Sequence, residues 1–290
     1  VDAAAAFSGS EAPPERQGRA LGSLQSAVAA GALIGPLLGG FLVKVLGFRL
    51  PLLIMGILTI ICAIAACFLL EERHHRVKTQ TTASLGDSSI FQTFKTLLQE
   101  RNTRYFILVG ICSKVGIYGL VPVFAPYVKD LIDVPTSAAA ASWVGGLQAA
   151  TWSATFFGAA WWGRQNDRRS VGWNYFGASI ICGLSIIFQA VVQQVELLFA
   201  LRIVQGFCFS ALEQSVFLVV TRTSKPNNQG VRIGATNSLL IIGQILGSFG
   251  GGIIGGFLRF EGVFLVMGLV YISSSFLVLR TIKSASATSQ

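Results

Sequence analysis

Three charged side chains lie inside long apolar stretches of this sequence, and each brings chemistry to a place that disfavours charge. Lys114 follows Arg104 by ten residues, about 15 Å along a helix, and Glu213 precedes Thr221 by eight, about 12 Å. A hydrocarbon core is about 30 Å thick, so both reach towards its centre. Charges at that depth are rare and mark either a pathway or a buried pairing. Taken out of water singly, an ammonium or a carboxylate becomes a group that exchanges a proton; side by side, the two hold each other charged. Arg202 precedes Glu213 by 11 residues, three helical turns, and therefore shares a helix face with it and with Gln205, Phe209 and nearby Gly206. Arg202 is only about 8 Å into its apolar run, so snorkelling to the interface competes with facing inward. Tyr118, Trp152, Phe156 and Phe207 are aromatic rings placed deeply enough to add apolar area and π-faces, which suit an amphipathic cation.

Other chemistries lack their residues. The five cysteines, Cys62, Cys67, Cys112, Cys182 and Cys208, show no CxxC or metal-ligand spacing and read as small apolar packing residues. His74 and His75 beside Glu71 and Glu72 lie on a polar segment, where adjacent histidines are usually solvated rather than metal-bound. Neither a phosphate-binding glycine loop with lysine, nor HExxH, nor a Gly-x-Ser-x-Gly elbow is present, which argues against an enzyme; no cofactor and no metal are expected.

The elements that position Lys114, Arg202 and Glu213 follow from composition. Of 290 residues 52% are hydrophobic and 12% charged, with a mean hydropathy of +0.64, which is wrong for a soluble domain. Eight stretches, 20-43, 50-70, 105-128, 138-162, 173-192, 197-220, 233-257 and 262-280, are apolar for about the 20 residues a crossing helix needs. Continuous runs such as Leu52 to Leu70 exclude the short alternating segments of a membrane β-barrel, so the predicted class is an all-α integral membrane protein. Of the 22 Lys and Arg, 16 fall in alternate connections and at the termini, whereas the opposite side holds Lys44, Arg49, Lys129 and Arg259. Basic residues favour the cytoplasmic side, which predicts cytoplasmic termini and a cytoplasmic 71-104 segment. This distribution also accounts for the net charge of +9 without nucleic acid as a partner; the partners expected are the lipid bilayer, a small-molecule substrate and protons.

An internal repeat divides the chain. At an ungapped offset of 212, Gln17, Gly18, Gly22, Gly31, Gly35, Gly39 and Gly40 fall on Gln229, Gly230, Gly234, Gly243, Gly247, Gly251 and Gly252. Pro14, Phe48, Met55 and Gly56 likewise fall on Pro226, Phe260, Met267 and Gly268. The first two spans are thus equivalent to the last two of a six-helix unit, and Val1 to Gly9 align with Glu213 to Thr221, inside the fourth helix of that unit. Six helices plus six about an axis along the membrane normal is the arrangement of major facilitator transporters. The expected division is 1-19, remnant of helix four and its loop; 20-70, helices five and six; 71-103, a central cytoplasmic linker; 104-282, a complete second half; and 283-290, a tail. The stretch FQTFKTLLQERN at the end of the linker is amphipathic enough for a short helix on the membrane surface.

Three motifs strengthen that resemblance. Gly31-Ala32-Leu33-Ile34-Gly35-Pro36-Leu37-Leu38-Gly39-Gly40 resembles the GxxxGPxxGG antiporter motif of the fifth helix in drug:proton antiporters of the major facilitator superfamily; simple helix packing by glycines is the alternative. Leu198 to Gly206, LFALRIVQG, is similar to the family's LxxxRxxQG motif, here in the second half. Gly163 to Arg169, GRQNDRR, is similar to the cytoplasmic GxLaDRxGRR loop, with Gln165 for the usual leucine and Ser170 for the usual glycine. In that loop Gly163, Asp167 and Arg168 are the candidate gating residues, through a charge relay between helices.

The chain resembles bacterial multidrug efflux proteins of the MdtG type over nearly its whole length. The resemblance implies helices 5 to 12 of a 6+6 fold in a bacterial inner membrane, with small amphipathic compounds exported in exchange for protons. Glu213 would then exchange the proton and Arg202 would tune it. Transport of a sugar or another metabolite, and a truncated fragment that does not transport, are the alternatives, because fold does not determine cargo.

Overall fold

The computed structural model describes residues 13-46, 49-69, 87-132, 137-225 and 228-287. After a 3-10 turn at Pro14–Arg16 come α1 Gln17–Leu46, α2 Arg49–Leu69, α3 Asp87–Gln99, α4 Arg101–Ile132, α5 Ser137–Arg168, α6 Val171–Gln189, α7 Val195–Thr223 and α8 Gln229–Ala287. The described residues contain no strand. Residues 1-12, most of the expected linker with His74 and His75, and 288-290 lie outside the described residues.

Among the described residues, four helical stretches are long and apolar enough to cross a membrane: Arg101–Ile132, Val171–Gln189, Val195–Thr223 and Gln229–Arg280. The last, at 52 residues, would extend about 78 Å if straight, more than twice a hydrocarbon core. It breaks at Leu258 and Arg259, where Arg259 takes a φ of 56°. That left-handed conformation is unfavourable for a residue with a Cβ, and it turns one helical stretch into the two spans read from the sequence. The ends expected at 257 and 262 bracket this break.

Glycine sets the closest helix approaches. On α8, Gly243, Gly247 and Gly251 lie against the backbone of α4: a Cβ on Gly243 would stand 2.5 Å from Ile111 O and one on Gly247 2.5 Å from Val115 O, while Gly251 abuts Gly119. Three glycines four residues apart thus replace side-chain packing by backbone contact, as small residues do between membrane helices. Hydroxyls also meet α4 from α6 and from the part of α8 after the break, with Tyr175 Oη 2.7 Å from Ser113 Oγ and Tyr271 Oη donating to Ser113 O at 2.9 Å. The repeat equivalents on α1 behave differently. Gly31 and Gly35 meet nothing within 4 Å among the described residues; Pro36, Gly39 and Gly40 belong to α1, but their surroundings lie outside the described residues.

The other end of α1 is tightly packed. Gly22 approaches Ala159 O and the Cα of Gly163 on α5, and Ser26 Oγ donates to Phe156 O at 2.9 Å. α2 stands apart: Leu53, Ile57, Ile60, Ile61 and Ile64 are all exposed, an apolar surface suited to lipid or further helices. The amphipathic stretch before α4 is helical, as its sequence indicates. It also packs inward, with Leu97 fully buried and Phe94 against the core.

Candidate substrate cavity and interhelix clasp

A cavity of about 480 Å³ opens between α1 and the helices that follow α3. α1 contributes Leu21, Leu24, Gln25 and Val28; α4 contributes Lys114, Ile117, Tyr118 and Val121; α5 contributes Gln148 and Trp152; α7 contributes Phe209, Glu213, Gln214 and Phe217; and α8 contributes Asn237. Lys114 Nζ lies 2.7 Å from Glu213 Oε1. The second carboxylate oxygen accepts 2.9 Å from Gln25 Nε2. Glu213 therefore ties α7 to α4 by charge and to α1 by an amide, and Tyr118 and Phe209 present ring faces about 6 Å from the ammonium, at 5.9 and 6.0 Å.

A second cavity, of about 290 Å³, lies beside it and is lined by Arg202, Phe124, Ala125, Val144, Thr151 and Thr155 together with Ile117, Leu120, Val121, Gln148, Trp152 and Phe209. Arg202 is 4% exposed, so it faces the bundle instead of snorkelling. Its guanidinium donates to Gln205 Oε1 at 3.0 Å and to Gln148 Oε1 at 3.2 Å, with Cζ 3.7 Å from the Phe124 ring centroid. Arg202, Phe209 and Glu213 line the adjoining cavities from α7, whereas Gln205 and Gly206 line neither.

Of the sequence candidates, Lys114, Tyr118, Trp152 and Glu213 line the larger cavity and Arg202 the smaller, while Gln205 sits behind Arg202 as its acceptor. Phe156 and Phe207 line neither. Phe207 packs against Trp161 and Trp162, and its carbonyl accepts the Trp162 indole N–H at 2.9 Å. Trp162 is accordingly buried between helices, unlike the exposed Trp161 and Trp173 that suit an interface. Depth along a helix could be counted from the sequence, but the azimuth of α5 could not, because its apolar residues encircle it. Gln25, Gln148 and Phe124 were not singled out; a polar amide within an apolar run is the signal that would have marked the first two.

At the end of α5, Asp167 forms a clasp. Its Oδ1 accepts from Gly18 N at 2.8 Å and its Oδ2 from Arg19 N at 2.9 Å, so a carboxylate from one helix caps the N-terminus of another. Arg222 of α7 completes the site at 3.3 Å. Gly163 and Gly18 permit this approach, since a Cβ on Gly18 would stand 2.6 Å from Asp167 Oδ1 and 2.7 Å from Gly163 O. Arg168, next to Asp167, is exposed. A further ion pair joins the start of α4 to α8, with Arg232 Nη1 donating to Glu100 Oε1 at 2.8 Å, Arg232 Nη2 engaging Glu100 Oε2, and Thr103 Oγ1 donating to Glu100 Oε2 at 2.9 Å. Among the described residues no group of three or more His, Cys, Asp and Glu is placed to hold a metal ion.

Comparison with known proteins agrees with this architecture. A staphyloferrin B transporter of Staphylococcus aureus is 39% identical over 283 residues, 97% of this chain and 67% of that protein. The multidrug resistance protein MdtG of Dickeya zeae is 26% identical over 266 residues, 92% of this chain and 64% of that protein. The chain thus spans about two thirds of the length of these relatives, as the shares of 67% and 64% indicate. The human organic anion transporter MFSD10 superposes with a TM-score of 0.80 at 14% identity, over 94% of this chain and 66% of that structure, a likeness of fold. The family model of the Major Facilitator Superfamily matches residues 3–151 and again 107–289, two overlapping passes that cover nearly the whole sequence. With membrane-length helices, a cavity between the two repeat units and these matches in agreement, the chain belongs to the major facilitator superfamily of multi-pass membrane transporters.

Proposed function

We propose that this chain is the greater part of a proton-coupled exporter of small amphipathic compounds, working by alternating access in a bacterial inner membrane with both termini cytoplasmic. The observation that carries the reading is the Lys114–Glu213 pair in the cavity wall, tied to α1 through Gln25. One carboxylate there touches helices of both repeat units. Protonating Glu213 removes the charge that Lys114 and Gln25 bind, which couples proton uptake to release of α1 from α7. The Asp167 clasp supplies the complementary lock at the end we assign to the cytoplasm. The MdtG relative favours multidrug export by its name, and the staphyloferrin B transporter leaves room for a more specialised cargo.

In this reading α1 and α2 are helices five and six, and 101-287 the seventh to twelfth. The open glycine face of α1 supports the numbering: Gly243 and Gly247 are filled by α4, and their equivalents Gly31 and Gly35 await a helix standing to α1 as α4 stands to α8. The experiment is reconstitution of the full-length protein in liposomes with an imposed pH gradient. Glu213→Gln should abolish gradient-driven transport while counterflow exchange of substrate persists; retention of gradient-driven transport by Glu213→Gln removes the coupling role.

A further inference from the structure

Arg202 is a buried cation for which the described residues hold no carboxylate. The other inward-facing cations are matched: Lys114 with Glu213, Arg222 with Asp167 and Arg232 with Glu100. Arg202 has two neutral amide oxygens and the face of Phe124, and its Nε, fully buried, has no acceptor. Amides and a ring orient a guanidinium without neutralising it, so much of the cost of removing that charge from water stays uncompensated. The cavity it lines shares Ile117, Val121, Gln148, Trp152 and Phe209 with the larger one. Because Lys114 and Glu213 cancel, these adjoining spaces carry one unbalanced positive charge amid apolar and aromatic walls.

We infer that Arg202 anchors an anion subsite that takes a carboxylate of the transported compound, whose apolar remainder lies against Trp152 and Phe209. The inference rests on the reading of this cavity as the substrate pathway and narrows the cargo to amphipathic anions, reversing the preference for cations that the aromatic rings alone suggest. A guanidinium edge matches the two oxygens of a carboxylate, and this one is preorganised. Phe124 covers one face, Gln148 and Gln205 fix two nitrogens, and Gln189 Nε2 in turn holds Gln205 Oε1 at 3.0 Å. Little side-chain freedom is left to lose when the anion arrives.

Binding of 2-naphthoate, neutral 2-naphthamide and the tetraphenylphosphonium cation to the full-length protein in lipid nanodiscs, measured by equilibrium dialysis, tests this. The expected result is at least tenfold tighter binding of the carboxylate than of its amide. Arg202→Gln should abolish that difference by weakening 2-naphthoate binding, with Arg202→Lys retaining part of it. Gln148→Glu, near-isosteric and therefore tolerated even where Arg202→Gln does not fold, should also abolish it by setting a carboxylate beside the guanidinium. Tighter binding of tetraphenylphosphonium than of 2-naphthoate, or unchanged 2-naphthoate binding in Arg202→Gln and Gln148→Glu, overturns the anion subsite but leaves the cavity as substrate pathway. Failure of all three probes to bind overturns both.

Discussion

Lys114 Nζ lies 2.7 Å from Glu213 Oε1, and each side chain is less than one-fifth exposed, at 15% and 18%. A pair this enclosed contributes little net stability when intact, yet removing one partner strands the other charge. Lys114→Met is expected to lower stability by about 3 kcal/mol, and the double variant Lys114→Met/Glu213→Leu to recover most of it. Thermal unfolding of the parent, Lys114→Met, Glu213→Leu and the double variant in one detergent checks this; a double variant as unstable as Lys114→Met would show that the pair is not an isolated unit.

Asp167 receives two backbone N–H groups at the start of α1, and Gly18 admits it only because it has no Cβ. Gly18→Val should force α1 from α5 at that end, and Asp167→Asn should weaken the same contact by removing the charge that both the helix terminus and Arg222 attract. Spin labels at the exposed positions Ser23 and Arg164 report the separation by pulsed electron resonance. The expected outcome is a longer, broader distance distribution in both variants, with the larger change in Gly18→Val.

The two copies of the glycine ladder should respond unequally to the same substitution. Gly247→Val inserts methyl groups where α4 backbone already lies and is expected to cost about 1–3 kcal/mol or prevent folding. At Gly35 an added Cβ meets no described atom within 4 Å, so Gly35→Val in the 290-residue chain should change the unfolding midpoint little. In the full-length transporter the helix proposed to pack there would make Gly35→Val as damaging as Gly247→Val. Equal tolerance in both proteins would count against that packing.

Glu100 gives the stability an acid limb. Its hydrogen bonds from Arg232 hold the carboxyl below the usual carboxylate range against the opposing effect of partial burial, with Thr103 adding to the lowering. A carboxyl depressed in the folded state binds protons more weakly there than in the unfolded chain. Its contribution is therefore complete above the ordinary glutamate value of about 4.3 and lost as pH falls through the folded value. Glu100→Gln should be less stable than the parent at pH 7, and the difference should shrink as the pH is lowered below 4, read as converging unfolding midpoints.

The all-helical class was legible from hydropathy because a bilayer admits few solutions: each span satisfies its own backbone, so a long apolar run marks a helix. The pairing of Lys114 with Glu213 was legible only in part. Helical rise placed both at similar depth, and periodicity put Glu213 and Arg202 on one face of α7, but a one-dimensional pattern does not report which helix stands opposite. The same gap explains Phe156 and Phe207, deep enough for the cavity yet turned away from it.

By itself, then, the sequence determined that this is an all-helical membrane protein with a repeated helix pair, and which residues carry charge into the apolar layer. These depend on local hydrogen bonding and transfer from water, and both are properties of a segment. The tertiary structure decided that Glu213 is bridged by Lys114 and Gln25, that Arg202 meets amides and a ring, and that Gly243 and Gly247 are filled where, among the described residues, Gly31 and Gly35 meet nothing within 4 Å. Those distinctions arise from helix rotation and neighbour identity, which are set by packing between segments far apart in the chain.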